Sequence, residues 1–329
     1  MSDQQEWLTP EHLLDVAQGF MKAQVALAAA ELGVWSELAG DSLGLADLSR
    51  RCGLHDRTAR DFLDTLTALG LLRRDEDGRY ANTPETAFFL DRAKPTYLGD
   101  ILLEWHRHLY ADWGHFTSAL RSGEHRDMFA SYDASRAAEF ARSMDATTAM
   151  TTGMLAFSFD WPSVKTFADV GGGSGALAAG LAETYPHLRG VCFDLPELAG
   201  TFAAGARPDQ VEFVAGDFFA DPLPSADVLL MGRVLHDWDV PRRRALIAGA
   251  FAALPPGGTL LVWDSMIGDD RRGPLTSLLM SLTTALVTQG GEYTAAELGE
   301  WLAEAGFGDV HVQSGLGPVT LVSARKPER

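Results

Sequence analysis

The second half of the chain alternates between short apolar runs and longer segments whose apolar residues recur at helical spacing. Short apolar runs are typical of buried strands, and the longer segments are typical of helices packed on one face. This alternation predicts an α/β domain built on a parallel sheet. The predicted strands are 164–170, 189–194, 211–214, 226–231 and 258–264, and the predicted helices are 174–185, 240–254 and 294–305.

The last two apolar runs, 310–313 and 319–323, are separated by little more than Gly315-Leu-Gly-Pro318. Parallel neighbours need a much longer crossover, so these two strands should pair antiparallel. A parallel sheet that ends in an antiparallel hairpin is not the usual pattern of dinucleotide-binding domains.

The first half is predicted to be mostly helical. Residues 10–39 have a wide apolar surface that needs a partner on more than one side, either the rest of the chain or a second subunit. Residues 43–83 read as helix, turn, helix and two short strands around a polar turn, which is the order of a winged helix. Residues 96–160 are again helical and rich in large side chains.

A winged helix suggests DNA binding, but the charge pattern argues against it. The chain carries a net charge of −18, and the would-be recognition helix places Asp56, Asp61 and Asp64 among its arginines. The polar turn between the strands is acidic at residues 75–77. A nucleic acid or an anionic membrane would repel such surfaces, so we expect neither as a partner and predict a structural or dimerising role.

Composition places the chain among ordinary globular proteins, with 46% hydrophobic and 22% charged residues. Cys52 and Cys192 lie far apart without metal-type spacing, which favours free thiols in a reducing compartment. No secretory signal precedes them, so we expect a cytoplasmic protein. The uncharged run 273–291 holds a helical part of roughly fourteen residues, shorter than the ~20 that span a bilayer.

Large side chains at helical spacing between residues 105 and 157 have two interpretations. They are typical of a hydrophobic core, and they would also form the walls of a pocket for a flat aromatic ligand. His106 and His108 lack a carboxylate or cysteine at metal-like spacing, so no metal is expected. The residues that we expect to line a substrate pocket are Trp105, His106, Trp113, Phe116, Phe140, Met144, Met154, Phe157, Met280 and Thr284.

The stretch from Asp169 to Ala176 predicts a strand, a glycine-rich turn and a helix, where a cofactor can approach the backbone. Gly171, Gly173 and Ala176 satisfy the dinucleotide pattern, and Asp194 at the next strand end suits a ribose in either case. The turn alone therefore leaves NAD and an adenosyl cofactor open. Asp217-Phe218 after the third strand and His236-Asp-Trp238 after the fourth favour the adenosyl cofactor.

Five motifs stand in the order Asp169-Val-Gly-Gly-Gly-Ser-Gly175, Phe193-Asp-Leu-Pro196, Gly216-Asp-Phe218, His236-Asp-Trp238 and Pro256-Gly-Gly258. In this order the chain resembles the S-adenosylmethionine-dependent O-methyltransferases of the caffeate and acetylserotonin type, whose bacterial relatives act on aromatic polyketides and phenazines. The resemblance covers nearly the whole chain, because a winged-helix dimerisation domain is also a trait of that family.

The resemblance implies three parts: a winged-helix dimerisation domain over 1–95, a helical connector contributing to the substrate pocket over 96–160, and a Rossmann-like cofactor-binding domain over 161–329. It also implies a homodimer and S-adenosylmethionine as the cofactor. A lysine of the plant pattern is replaced here by the pair Gly232-Arg233. The residues implied for cofactor binding are Asp169, Gly171, Gly173, Gly175, Asp194, Leu195, Asp217, Phe218, Arg233 and Trp238.

The resemblance further implies that His236 is the catalytic base, flanked by Asp264 and Glu292. Each has a plainer interpretation: His236 as a residue capping the next helix, Asp264 as a strand-end carboxylate that serves the fold, and Glu292 as a capping-region residue beside Thr294. One carboxylate suffices to fix the imidazole tautomer, and the sequence leaves open which of the two does so. An unperturbed imidazole titrates near 6.5 and a phenol near 10, so complete proton transfer would cost about 5 kcal/mol.

The function that we expect is methylation of a hydroxyl on an aromatic, polycyclic phenol. One alternative is a family member that keeps the cofactor but performs hydroxylation, decarboxylation or cyclisation. Another is a cofactor-sensing DNA-binding regulator, which rests on the winged helix alone.

Overall fold

The computed structural model describes residues 8–131, 133–205, 209–316 and 319–328. These residues form two compact units, one ending at His108 and the other beginning at Leu109. Each unit has a hydrophobic core of its own. Within the described ranges, no helix is both long and apolar enough to cross a membrane.

The N-terminal unit is built from seven α-helices and a two-stranded sheet within the described residues. Its core contains the buried side chains of Trp35, Leu48, Leu63 and Tyr80. The elements are α1 (Glu11–Ala17), α2 (Gly19–Glu31), α3 (Val34–Glu37), α4 (Leu45–Cys52), α5 (Asp56–Ala68), β1 (Leu72–Arg74), β2 (Tyr80–Asn82), α6 (Pro84–Phe89) and α7 (Gly99–Glu104).

The segment 10–39, predicted to be helical throughout, is divided into α1, α2 and α3. The second break falls at Gly33, whose φ of 68° is left-handed, so a right-handed helix cannot continue through it. Downstream, α4 and α5 are followed by β1 and β2, which pair antiparallel. These elements stand in the predicted order, and their assignment to the winged-helix class stays a prediction.

The second unit is an α/β domain, as predicted. Its helices are α8 (Tyr110–Trp113), α9 (Phe116–Ser122), α10 (Ala134–Ser158), α11 (Ala176–Thr184), α12 (Ala199–Ala204), α13 (Val240–Ala253), α14 (Leu275–Val287) and α15 (Ala295–Ala305). Its strands are β3 (Thr166–Val170), β4 (Arg189–Asp194), β5 (Val211–Ala215), β6 (Val228–Gly232), β7 (Thr259–Asp264), β8 (Gly308–Leu316) and β9 (Val319–Arg325).

Seven strands form one sheet in the order β5-β4-β3-β6-β7-β9-β8. The first five are parallel, β9 runs antiparallel to β7, and β8 runs antiparallel to β9. The expectation of a parallel sheet closed by an antiparallel C-terminal pair is confirmed. The later strand, β9, occupies the inner position, and β8 forms the edge of the sheet.

Helices cover both faces of this sheet. On one face α13 and α15 pack on alternate residues of β3, β6 and β7, with Leu246 and Trp301 among the buried contacts. On the other face α10 and α11 pack on the remaining residues, including Phe167 and Trp263. Burial on both sides explains why these strands are continuous apolar runs in the sequence.

The order of the parallel strands reverses between β3 and β6, because the chain adds strands outward from β3 and then returns to its other side. Ligands of open α/β sheets bind in the crevice that such a reversal leaves at the carboxyl ends of the strands. Four of the predicted site residues lie at or just after those ends: Asp169, Asp194, Arg233 and Asp264. The fold therefore brings them to the same edge of the sheet, at the carboxyl ends of its parallel strands.

Candidate active site

The glycine turn between β3 and α11 exposes bare backbone at the crevice. Gly171, Gly173 and Gly175 have φ values of 74°, 60° and 78°, which are left-handed. A Cβ added at Gly173 would meet nothing within 4 Å, whereas one added at Gly172 would lie 2.9 Å from Asp169 Oδ2 and 2.8 Å from Cys192 Sγ. The turn is therefore tightly packed at Gly172 and open at Gly173, which leaves room for a ligand against the backbone of Gly173.

Asp194 is held against this turn by two backbone amides. The N–H of Gly173 and the N–H of Leu195 each donate to one of its carboxylate oxygens, at 2.7 Å. Burial raises the pKa of Asp194, and these two hydrogen bonds lower it. Burial, and then the charge of Asp194, raise the pKa of Asp169 to about 7. The turn and the two carboxylates form one cluster, as the sequence predicts.

Asp217 and Phe218 follow β5, at the same carboxyl end of the parallel strands. Asp217 Oδ1 accepts the N–H of Phe219 at 2.8 Å, and the N–H of Asp217 donates to Asp221 at 2.9 Å. The Phe218 ring lies edge-on to Trp238, with centroids 5.9 Å apart. The structure thus brings together the residues that the resemblance assigns to adenine.

Beside Trp238 lies a cleft of about 250 Å³. Phe129 is not among the site residues predicted from the sequence, yet the Phe129 ring stacks on Trp238 with centroids 5.9 Å apart. Asp237 opens onto the same cleft. Its lining residues are Asp127, Phe129, Phe219, Asp237, Trp238, Arg242, Thr288 and Gln289.

Arg233 has a left-handed φ of 55°, which is uncommon for a residue with a side chain. Its Nη1 donates to Thr147 Oγ1 at 2.7 Å and lies 3.3 Å from Met144 Sδ. Burial lowers its pKa, and the nearby carboxylates, led by Asp264, raise it. Arg233 therefore ties the segment after β6 to α10, the helix that carries several predicted substrate residues.

His236 lies in the short turn that follows β6 and is 8% exposed. Its Nδ1 atom is 2.7 Å from Oε1 of Glu292, whose side chain is fully buried. An ionised carboxylate can only accept, so Nδ1 carries a proton in both forms of the ring, and Nε2 is the nitrogen that gains or loses the second proton. The Gly291 N–H also donates to the His236 carbonyl at 2.8 Å, which joins the two segments.

Asp264, at the end of β7, is completely buried and accepts a hydrogen bond from the hydroxyl of Tyr293. Of the two carboxylates expected to flank the histidine, Glu292 therefore makes the hydrogen bond to it. Among the described residues, Asp264 Oδ1 and Glu292 Oε2 are buried without a hydrogen-bond partner. Because buried polar atoms are rarely left unsatisfied, these two oxygens mark a place where a ligand or water would bind.

Around His236, burial and the neighbouring charges shift the pKa values in opposite directions. Burial lowers the pKa of His236, and the carboxylates of Asp237, Glu292 and Asp264 raise it by more, to about 10. Burial raises the pKa of Asp264 to about 7, against the lowering effect of His236. Asp237, whose Oδ1 is 3.7 Å from His236 Nε2, has its pKa raised by burial to about 6. The imidazolium form is strongly favoured.

The predicted substrate residues are dispersed. Trp105 and His106 belong to the N-terminal unit, where His106 Nε2 is 3.0 Å from Glu31 Oε2. In the second unit, the rings of Trp113 and Phe116 are 4.8 Å apart. The remaining predicted residues lie on two helices: Phe140, Met144, Met154 and Phe157 on α10, and Met280 and Thr284 on α14.

Two of these predicted residues stand out. Met144 contacts Arg233, which places it beside the histidine segment. Phe157 is 87% exposed in the single chain. The assignment of the whole set to substrate stays a prediction.

Comparisons with known proteins place this geometry in a family. The family model of the O-methyltransferase domain matches residues 114–308, and that of the O-methyltransferase dimerisation domain matches residues 14–92. The chain is 43% identical over 97% of both lengths to the tetracenomycin polyketide synthesis 8-O-methyl transferase TcmO of Streptomyces glaucescens. The chain belongs to the S-adenosylmethionine-dependent O-methyltransferase family.

Two further relatives of the methyltransferase support this. The 3-hydroxy-5-methyl-1-naphthoate 3-O-methyltransferase of Streptomyces sahachiroi is 37% identical, over 92% of this chain and 90% of the relative. The crystal structure of human N-acetylserotonin methyltransferase in complex with SAM has a TM-score of 0.92 at 31% identity, covering 99% of this chain and 100% of that one. The expected family, enzyme class and cofactor are confirmed, and the cofactor is S-adenosylmethionine rather than NAD.

Besides Phe129, three residues of the methyltransferase site escaped the sequence-based prediction. Asp237 stands inside the His-Asp-Trp motif, so the motif itself could have indicated it. Tyr293 follows Glu292 directly, but nothing in its position shows that its hydroxyl reaches Asp264, 29 residues away in sequence. Arg243 lies on α13 and donates to the carbonyls of Leu235 and Gly291, which directly precede His236 and Glu292. Its position in the sequence resembles that of its neighbours Arg242 and Arg244, so no local signal distinguishes it.

Proposed function

We propose that the methyltransferase methylates a phenolic hydroxyl on a polycyclic aromatic molecule of the polyketide kind, with His236 as the general base and Glu292 orienting it. The contact between His236 Nδ1 and Glu292 Oε1, at 2.7 Å, carries the proposal. The names of the two bacterial relatives, which refer to a polyketide and to a naphthoate, support the substrate class.

The raised pKa of His236 is close to the pKa of the phenol whose proton has to be removed. A phenol titrates near 10, so transfer to the neutral form of an imidazole whose pKa is about 10 is nearly balanced, whereas transfer to an ordinary histidine costs about 5 kcal/mol. That neutral form is the minor one at pH 7 and increases with pH. Nε2 is the atom that takes the proton, because Nδ1 is already bonded to Glu292. Glu292 then stabilises the imidazolium that results.

S-adenosylmethionine supplies an electrophilic methyl group. We propose that Gly171, Gly173 and Gly175 approach it with their backbone and that Asp194 accepts its ribose hydroxyls, an assignment supported by the open space over Gly173. Asp217, Phe218 and Trp238 would flank its adenine. Asp169, Leu195 and Arg233 complete the proposed set, and the chain's part in the reaction is to hold donor and acceptor at attacking distance and to receive the proton.

The N-terminal unit is proposed to form a homodimer. The match of residues 14–92 to a dimerisation domain supports this, as do the exposed apolar side chains of Leu13 and Phe20 on α1 and α2, which are 72% and 57% exposed in the single chain. Light scattering should give the mass of two chains, and a monomeric mass at micromolar concentration would contradict the proposal.

The direct test is His236→Ala with a polycyclic phenol as acceptor. Turnover should fall by at least a hundredfold, while the affinity for S-adenosylmethionine stays within about threefold of the wild type. Turnover close to the wild-type value would show that alignment alone carries catalysis. Mass spectrometry of the product should show one added methyl group. A product without that methyl would favour hydroxylation, decarboxylation or cyclisation instead.

A further inference from the structure

Arg243 is a buried guanidinium that contacts backbone rather than carboxylates. It lies on α13 and is 5% exposed. Its Nε donates to the Leu235 carbonyl at 2.9 Å, and its Nη2 donates to the His236 carbonyl at 3.4 Å and to the Gly291 carbonyl. One side chain thus connects the segment that carries the histidine to the segment that carries Glu292.

The same guanidinium packs against two aromatic rings beyond these carbonyls. Its central carbon lies 4.7 Å from the ring centroid of Tyr293 and 5.4 Å from that of Trp301. The Tyr293 hydroxyl in turn donates to Asp264. Arg243 is therefore in direct contact with the segments of His236 and Glu292, and it supports the residue that holds Asp264.

Burying a guanidinium in this way is unfavourable unless its donors are satisfied. Here several N–H groups point at carbonyl oxygens in fixed directions, which the planar, forked shape of arginine allows and a lysine cannot reproduce. Burial lowers the pKa of Arg243, and its charge lies close enough to interact with Asp264 and Glu292. The Arg243 guanidinium therefore fixes the positions of three backbone carbonyls, and its burial costs desolvation free energy.

We infer that Arg243 is a positioning residue for the methyl-transfer reaction: it holds the segment of His236 against the segment of Glu292 and so sets the alignment of the base with its orienting carboxylate. This inference rests on the proposed role of His236. Arg243 does not touch the reacting atoms. Its effect passes through the Nδ1 to Oε1 contact, and small displacements of such a contact are enough to cost large factors in rate.

The test compares Arg243→Met and Arg243→Lys with two controls on the same helix. Arg244→Met removes a neighbouring arginine that pairs with Glu304 at the surface. Ile247→Ala removes part of a fully buried side chain in the core under α13, so it destabilises the domain without touching these contacts. The measurements are kcat, the dissociation constant for S-adenosylmethionine, the melting temperature, and the downfield proton resonance of the His236 Nδ1–H group.

We expect Arg243→Met to lower kcat by about tenfold to a hundredfold, with the affinity for S-adenosylmethionine within threefold of the wild type. Its Nδ1–H resonance should broaden through faster exchange with water. Arg243→Lys, which keeps the charge but cannot reach all three carbonyls, should have an intermediate kcat. Arg244→Met and Ile247→Ala should keep both the resonance and the wild-type kcat, even where Ile247→Ala melts earlier.

Two results would overturn the inference. One is a wild-type kcat and an unchanged Nδ1–H resonance in both Arg243 variants. The other is a loss of kcat that follows the melting temperature equally in Arg243→Lys and Ile247→Ala, because a purely structural role predicts that parallel. If His236→Ala itself keeps full activity, the proposed function fails instead, and the resonance still reports whether Arg243 sets the His236–Glu292 contact.

Discussion

Glu292 reaches the Nδ1 atom of His236 from a position 56 residues away in sequence, at 2.7 Å and with its side chain fully buried. Asp264, the other carboxylate that the sequence predicts beside the histidine, is bonded to a tyrosine instead. The two acidic residues therefore act differently on the histidine: Glu292 is hydrogen-bonded to its ring, and Asp264 affects its pKa only through charge.

The rate should rise with pH well above neutrality. The pKa of His236 is raised from 6.5 to about 10, so the imidazolium dominates at pH 7 and the base form increases about tenfold for each pH unit until that pKa is reached. We expect kcat/KM to rise between pH 7 and 9 with a slope near one on logarithmic axes. A plateau reached by pH 7.5 would indicate an ordinary histidine and contradict the structure.

Glu292→Gln should move this pH dependence toward lower pH. The amide can still accept from Nδ1–H, but it no longer stabilises the positive ring, so the pKa of His236 falls. We expect the midpoint of the kcat/KM profile to fall by at least one pH unit, and kcat at pH 9 to fall about tenfold to a hundredfold.

The matched control for that substitution is Glu300→Gln, which exchanges an exposed carboxylate on α15 for an amide. Its pH profile should coincide with that of the wild type. Because the phenol of the acceptor is the same in all three proteins, a shift confined to Glu292→Gln assigns the titration to the histidine. Identical profiles for both variants would assign it to the substrate.

Tyr293→Phe should destabilise the protein in a pH-dependent way. The pKa of Asp264 is raised in the fold from 3.8 to about 7, chiefly by burial, so its contribution to stability is full below pH 3.8 and is lost as pH rises through 7. Removing the hydroxyl that bonds to this carboxylate raises its pKa further. We expect a loss of about 1–3 kcal/mol at pH 8 and a smaller loss at pH 5.

Melting temperatures at the two pH values measure this difference. The control is Tyr80→Phe, which removes a hydroxyl bonded at 2.7 Å to Asp64, a half-exposed carboxylate that water can solvate. Its effect should be small and similar at pH 5 and pH 8. Equal losses at both pH values for Tyr293→Phe would show that Asp264 does not titrate in this range.

Gly173→Ala should weaken cofactor binding more than it weakens the fold. The φ of 60° imposes a strain of about 1–2 kcal/mol on any residue with a Cβ, and that Cβ would project into the open space over the turn. Gly53→Ala, at the end of α4, carries a comparable strain at φ 66° with equally open surroundings.

Calorimetry with S-adenosylmethionine distinguishes the two glycine variants. Both should melt a few degrees earlier than the wild type, and Gly173→Ala alone should bind at least tenfold more weakly. Unchanged binding by Gly173→Ala would remove this turn from the cofactor site.

The sequence was sufficient for the sheet because strands buried on both faces, such as β6 and β7, leave unbroken apolar runs. It was sufficient for the glycine turn because only glycine adopts three left-handed conformations so close together without strain. It was misleading at Gly33, where a single left-handed residue divides a helical pattern that periodicity alone would continue.

The supporting residues of the site could not be predicted in the same way. Whether Glu292 or Asp264 bonds to His236 depends on the path of the loop after α14, and hydrophobic periodicity does not report on loop paths. Arg243 is one of three consecutive arginines at the start of α13. Which of them faces the interior is decided by tertiary packing, because the pattern around them is equally compatible with solvent.

The charged groups of the molecule form two sets: the buried cluster around His236, and the charged residues outside it. With the histidine as an imidazolium and the carboxylates ionised, the cluster holds three positive and three negative side chains; they are Arg233, His236 and Arg243 against Asp237, Asp264 and Glu292. The excess of 45 acidic over 27 basic residues in the chain therefore lies outside this cluster, and most of it lies on the exterior. Ions in solution screen that exterior and leave the interior balance unchanged. Raising the salt concentration should therefore change the charge interactions of the surface far more than those around His236.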